Sequence, residues 1–276
     1  VVVVLHNGSP VELPWADRVS AILEMYLGGQ GVGEACDWLL FGEANPSGRL
    51  AETFPYRLED NPSYLHFPGN GKRVLYGEDI FVGYRYYDTK KVPVRYAFGH
   101  GLSYTEFAYG DLNLSSAQMT DEDILTVSFK VKNTGKTEGK EVVQLYVADL
   151  CGISERPVKE LKGFAKVHLL PGEEKTVSME ISARDLSYYE ERLGDWYAPS
   201  GTYRILIGHA SDDVRLHADI IFETQKELPL CVDFTTTFGE LLDHTKTAPV
   251  ITELLAPLAA AAASAEGMSD EYKKLG

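Results

Sequence analysis

Strict alternation of apolar and polar residues is the feature of this sequence that most constrains how the chain folds. Between Leu125 and Lys132 every second residue is apolar, and the residues between are threonine, serine or lysine. A period of two places alternate side chains on opposite faces of a strand, so one face of this segment is buried and the other meets solvent. The same pattern returns at 143–147, 177–181, 203–207 and 216–222.

Turn signals between these segments indicate the class of fold. Asparagine, proline and glycine separate the alternating runs at 133–135, 171–172 and 199–201. About seven short strands in roughly 110 residues are typical of an immunoglobulin-like sandwich of two antiparallel sheets. The cysteine pair of antibody domains is absent from these strands. We therefore predict an all-β sandwich of the fibronectin type III variety over residues 111–223.

The first 70 residues have the pattern of an α/β structure. The chain opens on four valines and a leucine, a run typical of a buried strand in a parallel sheet. A second apolar run covers 19–27, and 49–54 is expected to form a third strand. Apolar residues at 32, 35, 36, 39 and 40 follow the spacing of an amphipathic helix, and Gly42 stands where its C-terminal cap is expected.

This first region, residues 1–70, is expected to be incomplete. Three strands and about two helices cannot cover both faces of a parallel sheet. A chain rarely begins inside a core strand, and no signal-peptide pattern precedes this one. We therefore expect a fragment of a longer protein, with a partial, flavodoxin-like α/β half-domain followed by the sandwich.

Between the two regions lies a strap, residues 71–110, that has neither the helical nor the strand period. Its central part is dense in glycines and in aromatic residues, which offer turns and large amphipathic surfaces. We predict that the strap runs extended along the sandwich. Three of its rings, Tyr84, Phe98 and Tyr104, are expected to be buried between the two regions.

The tail, residues 224–276, is predicted to be partly helical. Thr237 and Glu240 have the spacing of a capping box, and 251–265 is rich in residues that favour helix. The predicted organisation is thus an α+β multidomain chain in four parts: half-domain (1–70), strap (71–110), sandwich (111–223) and tail (224–276).

Composition excludes several classes of partner. The chain carries 26 basic and 41 acidic residues, a net charge of −15, which argues against nucleic acid and against anionic membranes. No apolar stretch is long enough to span a bilayer. The cysteines Cys36, Cys151 and Cys231 show neither a CxxC motif nor metal-ligand spacing, so we expect free thiols, no metal and a cytoplasmic location.

Two motifs in the strap carry a resemblance to a known family. The segment 76–85 reads YGEDIFVGYR and 98–105 reads FGHGLSYT. Together with NPSGRL at 45–50 and RPVKELKGF at 156–164, they resemble family 3 glycoside hydrolases of the β-glucosidase type. The resemblance covers residues 1 to about 222. It implies the end of that family's α/β sandwich domain followed by its fibronectin-like domain.

The resemblance also implies an activity for the full-length protein. The family hydrolyses terminal β-D-glucosyl or related β-glycosyl residues with retention, using an aspartate nucleophile and a glutamate acid/base about 5 Å apart. It implies a nucleophile in a missing N-terminal barrel domain and an acid/base ahead of Val1. No serine-aspartate-tryptophan or glycine-glutamate-glycine segment occurs in this chain. We therefore assign no catalytic residue, leave the substrate-binding residues unknown, and expect the fragment alone to be structural and inactive.

Two other functions were weighed against this one. The first is a non-catalytic carbohydrate-binding or scaffolding module built on the sandwich. It would need exposed aromatics on one sheet face, whereas Tyr188, Tyr189, Trp196 and Tyr197 lie near turns. The second is a nucleotide-binding domain using the loop Gly29-Gln30-Gly31-Val32-Gly33. The dinucleotide fingerprint needs a third glycine where this chain has Glu34, so a strand-to-helix turn without cofactor is favoured.

Glu78 and Asp79 are candidate acids because they lie among aromatic residues, where burial raises a carboxyl pKa. Neighbouring residues of an extended chain point in opposite directions, so the two cannot flank one glycosidic bond. A structural role is favoured, with Glu78 paired to Arg85 or Arg73.

The remaining candidates also favour structural roles. His100 has no serine or cysteine nucleophile arrangement nearby in sequence, which favours a hydrogen-bonded structural histidine. Ser103 is expected to be a turn or packing residue. The three tryptophans, Trp15, Trp38 and Trp196, could form a sugar-stacking platform but are widely spaced, which favours core or interface positions.

Overall fold

The computed structural model describes residues 1–152, 155–229 and 231–264, which form two compact units. The larger unit comprises Val1–Tyr189 and Trp196–Lys226, and the smaller comprises Glu190–Asp195 with the residues from Glu227 onward. The predicted α+β class is confirmed: a small α/β region precedes a two-sheet sandwich, and helices follow it. The division into four parts stays a prediction.

The first region contains a parallel pair of strands and one helix. Strand β1 (Val2–Leu5) lies parallel to β2 (Ala21–Glu24), with a 3-10 turn, Ala16–Arg18, between them. Helix α1 (Val32–Phe41) follows and ends at Gly42, whose φ of 79° is left-handed. The predicted helix and its glycine cap are therefore confirmed.

The predicted third strand at 49–54 is wrong in position and pairing. Strand β3 is only Phe54–Pro55, and it lies antiparallel to β4 (Val94–Tyr96) in the strap rather than beside β1 and β2. The backbone of Leu50 is already used by the strap: its N–H donates to His100 and its carbonyl accepts from Gly99. These bonds hold the segment before β3 against the strap.

The strap is not extended throughout, as the sequence had suggested, because Tyr84–Lys90 forms helix α2. The helix follows Gly83, whose φ is 55°, and ends at Lys91 in the left-handed region. At seven residues it spans only about two turns, too short for a helical period to show in the sequence.

The sandwich has one sheet of three strands and one of five. The first has the order β10-β7-β5 and the second β6-β14-β13-β8-β9. A four-residue helix, α3 (Ala183–Leu186), and a hairpin lie between β10 and β13. The strands are β5 (Phe107–Leu114), β6 (Gln118–Thr120), β7 (Ile124–Asn133), β8 (Gly139–Asp149), β9 (Glu160–Leu169), β10 (Glu174–Ser182), β11 (Tyr188–Glu190), β12 (Asp195–Tyr197), β13 (Gly201–Ala210) and β14 (Asp213–Glu223).

The core of the sandwich is built from the alternating residues. Leu125, Val127, Phe129 and Val131 of β7 are all at most 1% exposed, and the apolar residues of β8 and β13 face them across the interior. Fully burying one such side chain contributes about 1.5–3 kcal/mol. The predicted sandwich is therefore confirmed, and its strand register follows from keeping this one face dry.

The tail forms two helices in the described residues. Helix α4 (Phe238–Asp243) begins with the predicted capping box, in which Thr237 and Glu240 exchange side-chain and backbone hydrogen bonds. Helix α5 (Ala248–Ser264) covers most of the predicted helical segment. The predicted tail's residue 230 and residues 265–276 lie outside the described residues.

Backbone protection in the larger unit should follow the number of neighbouring strands. Strand β8 lies between β13 and β9, whereas the structure pairs β1 with β2 alone. Because paired amides exchange only when the structure opens, hydrogen exchange should be slow in β8 and β13 and fast in β1. Equal protection of β1 and β8, measured by exchange mass spectrometry on the intact chain, would contradict this.

The strap should be held to the sandwich through its rings. Phe98 stacks on Tyr84 at 4.8 Å, and Tyr84 meets Tyr146 of β8 edge-on at 5.8 Å. The Phe98 side chain is half-buried. We therefore expect Phe98→Ala to lower the free energy of unfolding by about 3 kcal/mol, the low end for such changes, and to lower Tm by roughly 5 °C or more. Lys90→Ala, at an exposed position of the same strap, is the control and should leave Tm unchanged. An unchanged Tm for Phe98→Ala would mean that the ring contributes nothing to this attachment.

Candidate functional site

The motif at 98–105 joins the first region to the sandwich through its backbone. The Gly99 N–H donates to the Leu50 carbonyl at 2.8 Å, and the Leu50 N–H donates to the His100 carbonyl at 2.9 Å. One residue earlier, the Phe98 carbonyl accepts from the N–H of Ser211 at 2.9 Å. Consecutive residues of the motif thus bond to different parts of the chain, which accounts for a segment without regular secondary structure.

Asn45 completes the same junction. Its Oδ1 accepts from the Ser103 hydroxyl at 2.9 Å and from the Tyr104 N–H at 2.8 Å, while its Nδ2 donates to the Glu138 carbonyl at 2.8 Å. Ser103 therefore has a structural role here. The Tyr104 hydroxyl donates to the Leu39 carbonyl at 2.6 Å, but the residue is 53% exposed, so the prediction that it is buried is wrong.

Two glycines of the motif are required by close approach. Gly99 has a φ of 83°, and a side chain there would meet the amide of Gln144. At Gly101 a Cβ would lie 2.6 Å from the Gly48 carbonyl oxygen, closer than real Cβ atoms come. Only glycine allows the strap to pass this close to its neighbours.

A buried carboxylate lies at the end of the sandwich beside this motif. Glu141 of β8 is 0% exposed, and its carboxylate has three hydrogen-bond partners. Its Oε2 accepts from Arg49 at 2.7 Å, and its Oε1 lies 2.7 Å from the Tyr109 hydroxyl and 2.6 Å from Nδ1 of His209. We call Arg49, Tyr109, Glu141 and His209 the Glu141 cluster. Its members come from the first region, β5, β8 and β13.

The electrostatics of the cluster follow from its burial. The side chains of Arg49 and Glu141 are 6% and 0% exposed, so each charge depends on the other for compensation. Burial, followed by the charge of Glu141, raises the pKa of Tyr109 far above its usual range, so this hydroxyl stays neutral and donates. The cluster is a buried ion pair with two further hydrogen-bond partners, and neither of the depressions described below is lined by its residues.

Sequence reasoning missed this cluster, although one signal was present. Glu141 precedes Val143, Leu145 and Val147 in the same two-residue register, so it belongs to the buried face of β8. Asn133 extends the buried face of β7 in the same way, and its Oδ1 accepts from the Thr105 hydroxyl at 2.6 Å. A polar residue in line with a core stripe indicates a buried polar contact.

Helix α2 docks on the start of β9 and on the residue just before it. The Tyr84 hydroxyl accepts from the Leu161 N–H at 2.7 Å, and Asp88 pairs with Lys159 at 2.8 Å. Arg85 pairs with Glu160 at 3.3 Å.

Glu160 is surrounded by cations. Burial opposes its ionisation, but Lys162, Arg156 and Arg85 together lower its pKa. The segment RPVKELKGF is thus a docking surface for the strap, which gives a physical reason for its residues.

Glu78, for which a structural ion pair was favoured, does not pair as expected. Arg85 bonds to Glu160 instead, and the buried Oε2 of Glu78 has no hydrogen-bond partner in the described residues. Asp79 is exposed and has a φ of 49°. The prediction that Glu78 pairs with Arg85 is therefore wrong. Arg73, the other partner predicted for Glu78, lies in the adjoining loop, where its backbone pairs with that of Asn70.

His100 and the three tryptophans lie in different parts of the structure and have different neighbours. The His100 ring stacks on Tyr96 at 5.1 Å, and burial is the largest cause that lowers its pKa. Trp15 packs on the small core of Leu13, Ala16 and Phe54, and Trp38 is 44% exposed on α1. Trp196 meets Tyr189 edge-on at 5.6 Å, and Arg184 lies 3.0 Å above its ring.

The glycine loop follows β2, and an acidic pair is formed by Glu24, the last residue of β2, and Glu52 in the segment before β3. Gly29, with φ 69°, and Gly31, the N-cap of α1, form the turn from strand to helix. Glu24 accepts from the Tyr26 N–H at 2.7 Å. Burial, and then the charge of Glu24, raises the pKa of Glu52. A carboxyl of raised pKa beside a second carboxylate is an arrangement that glycosidases use, and the sequence reasoning did not select it.

The described surface has two depressions that differ in size and in their acidic residues. One, of about 640 Å³, is lined by the loop from Leu65 to Leu75 and has no carboxylate in its lining. The other, of about 140 Å³, has Asp17 alone, and this carboxylate forms two hydrogen bonds to Arg95. A retaining mechanism needs two carboxyl groups about 5 Å apart, so neither depression has the required pair.

The described residues contain neither a candidate metal site nor a candidate membrane-spanning helix. Across 1–152, 155–229 and 231–264, no three histidine, cysteine or carboxylate residues form a group that could hold a metal ion. None of the helices in that part of the chain is long and apolar enough to cross a membrane.

The Arg49–Glu141 pair should be strongly stabilising in a single-substitution test. Arg49→Met removes the guanidinium and leaves a buried carboxylate, which typically costs about 3–5 kcal/mol. Because Tyr109 and His209 still contact Glu141, we expect the lower end of this range, measured by urea unfolding. Arg57→Ala removes an arginine that is 69% exposed and pairs with Asp60, so it is the control and should have little effect. Equal losses for the two variants would contradict the role given to Arg49.

Comparisons with known proteins account for most of the chain. Residues 1–104 match the glycosyl hydrolase family 3 C-terminal domain, and residues 141–211 match the fibronectin type III-like domain. The thermostable β-glucosidase B of Acetivibrio thermocellus is 56% identical over 220 residues, covering 80% of this chain and 29% of its own length. A β-glucosidase of Kluyveromyces marxianus is 45% identical over 229 residues, covering 82% of this chain and 26% of its own length.

Solved structures agree with these matches. A family 3 β-glucosidase of Bifidobacterium adolescentis has a TM-score of 0.81 at 39% identity, covering 91% of this chain and 37% of that one. The Kluyveromyces marxianus β-glucosidase in complex with glucose has a TM-score of 0.75 at 42% identity, covering 80% of this chain and 26% of that one. The chain spans less than a third of the length of the curated relatives described here. The chain therefore belongs to family 3 of the glycoside hydrolases, of which it carries the C-terminal-domain region and the fibronectin type III-like domain.

Proposed function

We propose that this chain is the non-catalytic C-terminal part of a retaining β-glucosidase that removes terminal β-D-glucosyl or related β-glycosyl residues. The observation that carries the proposal is the 56% identity with a β-glucosidase over 220 residues, together with the two family matches at 1–104 and 141–211. In this proposal, the nucleophile and the acid/base lie in an N-terminal part of the protein that precedes these residues.

The role that we assign to the strap and the Glu141 cluster is to hold the two matched regions of the chain together. The strap bonds to both, through Leu50 on one side and Ser211 on the other. The Glu141 cluster adds an ion pair from Arg49 to β8. An active site placed between domains needs each domain held to within about 0.5 Å, which a rigid junction provides.

A carbohydrate-binding module is the second candidate, and one feature favours it. The hairpin of β11 and β12 exposes Tyr189 and Trp196, which are 53% and 38% accessible. Sugars bind to exposed aromatic faces, but the guanidinium of Arg184 lies 3.0 Å from the centre of the Trp196 ring and covers one face. The hairpin therefore offers a poorer stacking surface than the exposure of its rings suggests, and we favour the first proposal.

The purified chain should not hydrolyse an aryl β-glucoside. Neither Glu78 nor the pair Glu24 and Glu52 lines either of the described depressions, so no residue supplies a placed nucleophile and proton donor. The measurement is release of the aryl alcohol, with the Acetivibrio thermocellus enzyme as the positive control. Turnover by the chain that Glu78→Gln or Glu52→Gln abolishes would contradict the proposal and identify the active carboxylate.

A chimera tests the positive half of the proposal. The 220 matched residues of the Acetivibrio thermocellus enzyme are replaced with those of this chain, and β-glucoside hydrolysis is measured. Retained activity supports a scaffolding role within a β-glucosidase. A folded but inactive chimera, together with binding of β-linked oligosaccharides by the isolated chain, would favour the binding module instead.

A further inference from the structure

His209 makes two hydrogen bonds that connect three parts of the larger unit. It lies on β13 next to the turn that leads into β14. Its Nδ1 is 2.6 Å from Oε1 of Glu141, and its Nε2 is 2.9 Å from the carbonyl oxygen of Gly101 in the strap. Both ring nitrogens are therefore used, one toward the sandwich core and one toward the strap.

Both partners of the ring can only accept a proton. The Gly101 carbonyl carries no hydrogen. Glu141 is ionised, because a neutral carboxyl would leave the buried guanidinium of Arg49 uncompensated at 2.7 Å. Its Oε1 also accepts from the Tyr109 hydroxyl. A carboxylate in this position has no proton to give to His209.

A neutral imidazole cannot satisfy this geometry. It carries a proton on one nitrogen and a lone pair on the other. With the proton on Nδ1, the Nε2 lone pair would face the Gly101 carbonyl at 2.9 Å; with the proton on Nε2, the Nδ1 lone pair would face a carboxylate oxygen at 2.6 Å. Each alternative replaces a hydrogen bond with a repulsive contact.

We propose that His209 is held as a doubly protonated imidazolium, whose two N–H groups tie the strap at Gly101 to Glu141, so that this junction loosens when the ring loses a proton. The inference concerns the junction alone and does not depend on the proposed β-glucosidase function.

The surrounding charges balance when His209 is charged. Arg49 approaches from the first region, His100 from the strap, Tyr109 from β5 and Glu141 from β8. Asp212 lies in the turn after β13, Asp213 begins β14, and Arg215 on β14 pairs with Asp213 at 2.5 Å. Burial lowers the pKa of His100, so that ring adds no charge near neutral pH. Tyr109 is neutral as well, because its pKa is raised. With His209 charged, this neighbourhood holds three positive groups, Arg49, His209 and Arg215, and three carboxylates, Glu141, Asp212 and Asp213.

The direction of the pH effect follows from the state that the fold selects. The fold binds the protonated ring better than the neutral one, so the stabilisation is present at low pH and is lost as rising pH removes the proton. The neutral ring keeps one of its two hydrogen bonds. Either the Gly101 carbonyl or the Glu141 carboxylate then loses a donor.

The protonation state is measured directly on the unaltered chain. With ¹⁵N-labelled histidine and sequential assignment, the two ring nitrogens of His209 should both show protonated shifts at about pH 6 to 7. A single neutral tautomer at about pH 6 would overturn the proposal, whatever any variant does. His6, which lies at an exposed site, serves as the reference signal in the same spectra.

A matched pair of variants tests the consequence for stability. The amide of His209→Gln can donate to one partner but carries no charge, and His6→Gln is the control at an exposed site. The wild-type Tm should exceed that of His209→Gln by about 2–4 °C or more at about pH 6, and by less at about pH 9. A difference that is constant with pH, or that grows as the pH rises, would overturn the proposal.

Discussion

The buried carboxylate of Glu141 is the interaction on which the arrangement of the larger unit depends. Burying a charged group raises the free energy of the folded state unless an opposite charge and hydrogen bonds replace the water that the group loses. Arg49, Tyr109 and His209 supply these contacts, from three other segments of the chain. Because the carboxylate cannot be left unpaired, the first region and β5 must both meet the end of β8. One polar residue in a core stripe thereby specifies how three elements pack.

The strap acts as a fitted connection rather than a flexible linker. Its helix lies on the start of β9, and its glycine-rich motif bonds to Leu50 and Ser211 through consecutive backbone groups. Glycine at 99 and 101 lets the chain approach neighbours that a side chain would exclude. The same residues carry the family resemblance. The contacts of Tyr84, Gly99 and Ser103 give a physical reason for part of that resemblance, because these residues form the junction.

The carboxylates outside the junction divide into two kinds. Those of Glu160 and Asp17 are paired with arginines, which favours their ionised forms. Glu52 is the exception, because burial and Glu24 raise its pKa. This pair lies at the end of β2, where parallel sheets commonly bind ligands. For the proposed β-glucosidase it is the acidic pair in the described residues that most resembles catalytic chemistry, although Glu52 lies two residues from Leu50, which bonds to the strap.

What the sequence determined by itself is the local burial of each segment. Alternation from Leu125 to Val131 predicted the sandwich, and the helical spacing before Gly42 predicted α1 with its cap. Such patterns suffice because the period of buried residues matches the period of the element. The strap helix was missed because it is only about two turns long. The strand at 49–54 was placed wrongly because an apolar run does not indicate which neighbouring segment accepts its hydrogen bonds.

Only the tertiary structure decided which polar groups meet. Arg49 and Glu141 are 92 residues apart in sequence, and Gly101 and His209 are 108 apart. No periodicity connects positions at such distances, and a glutamate in an apolar stripe indicates a buried partner without naming it. The partner is chosen by the packing of strands that bring distant segments together, because charge compensation and hydrogen-bond geometry act through space and not along the chain.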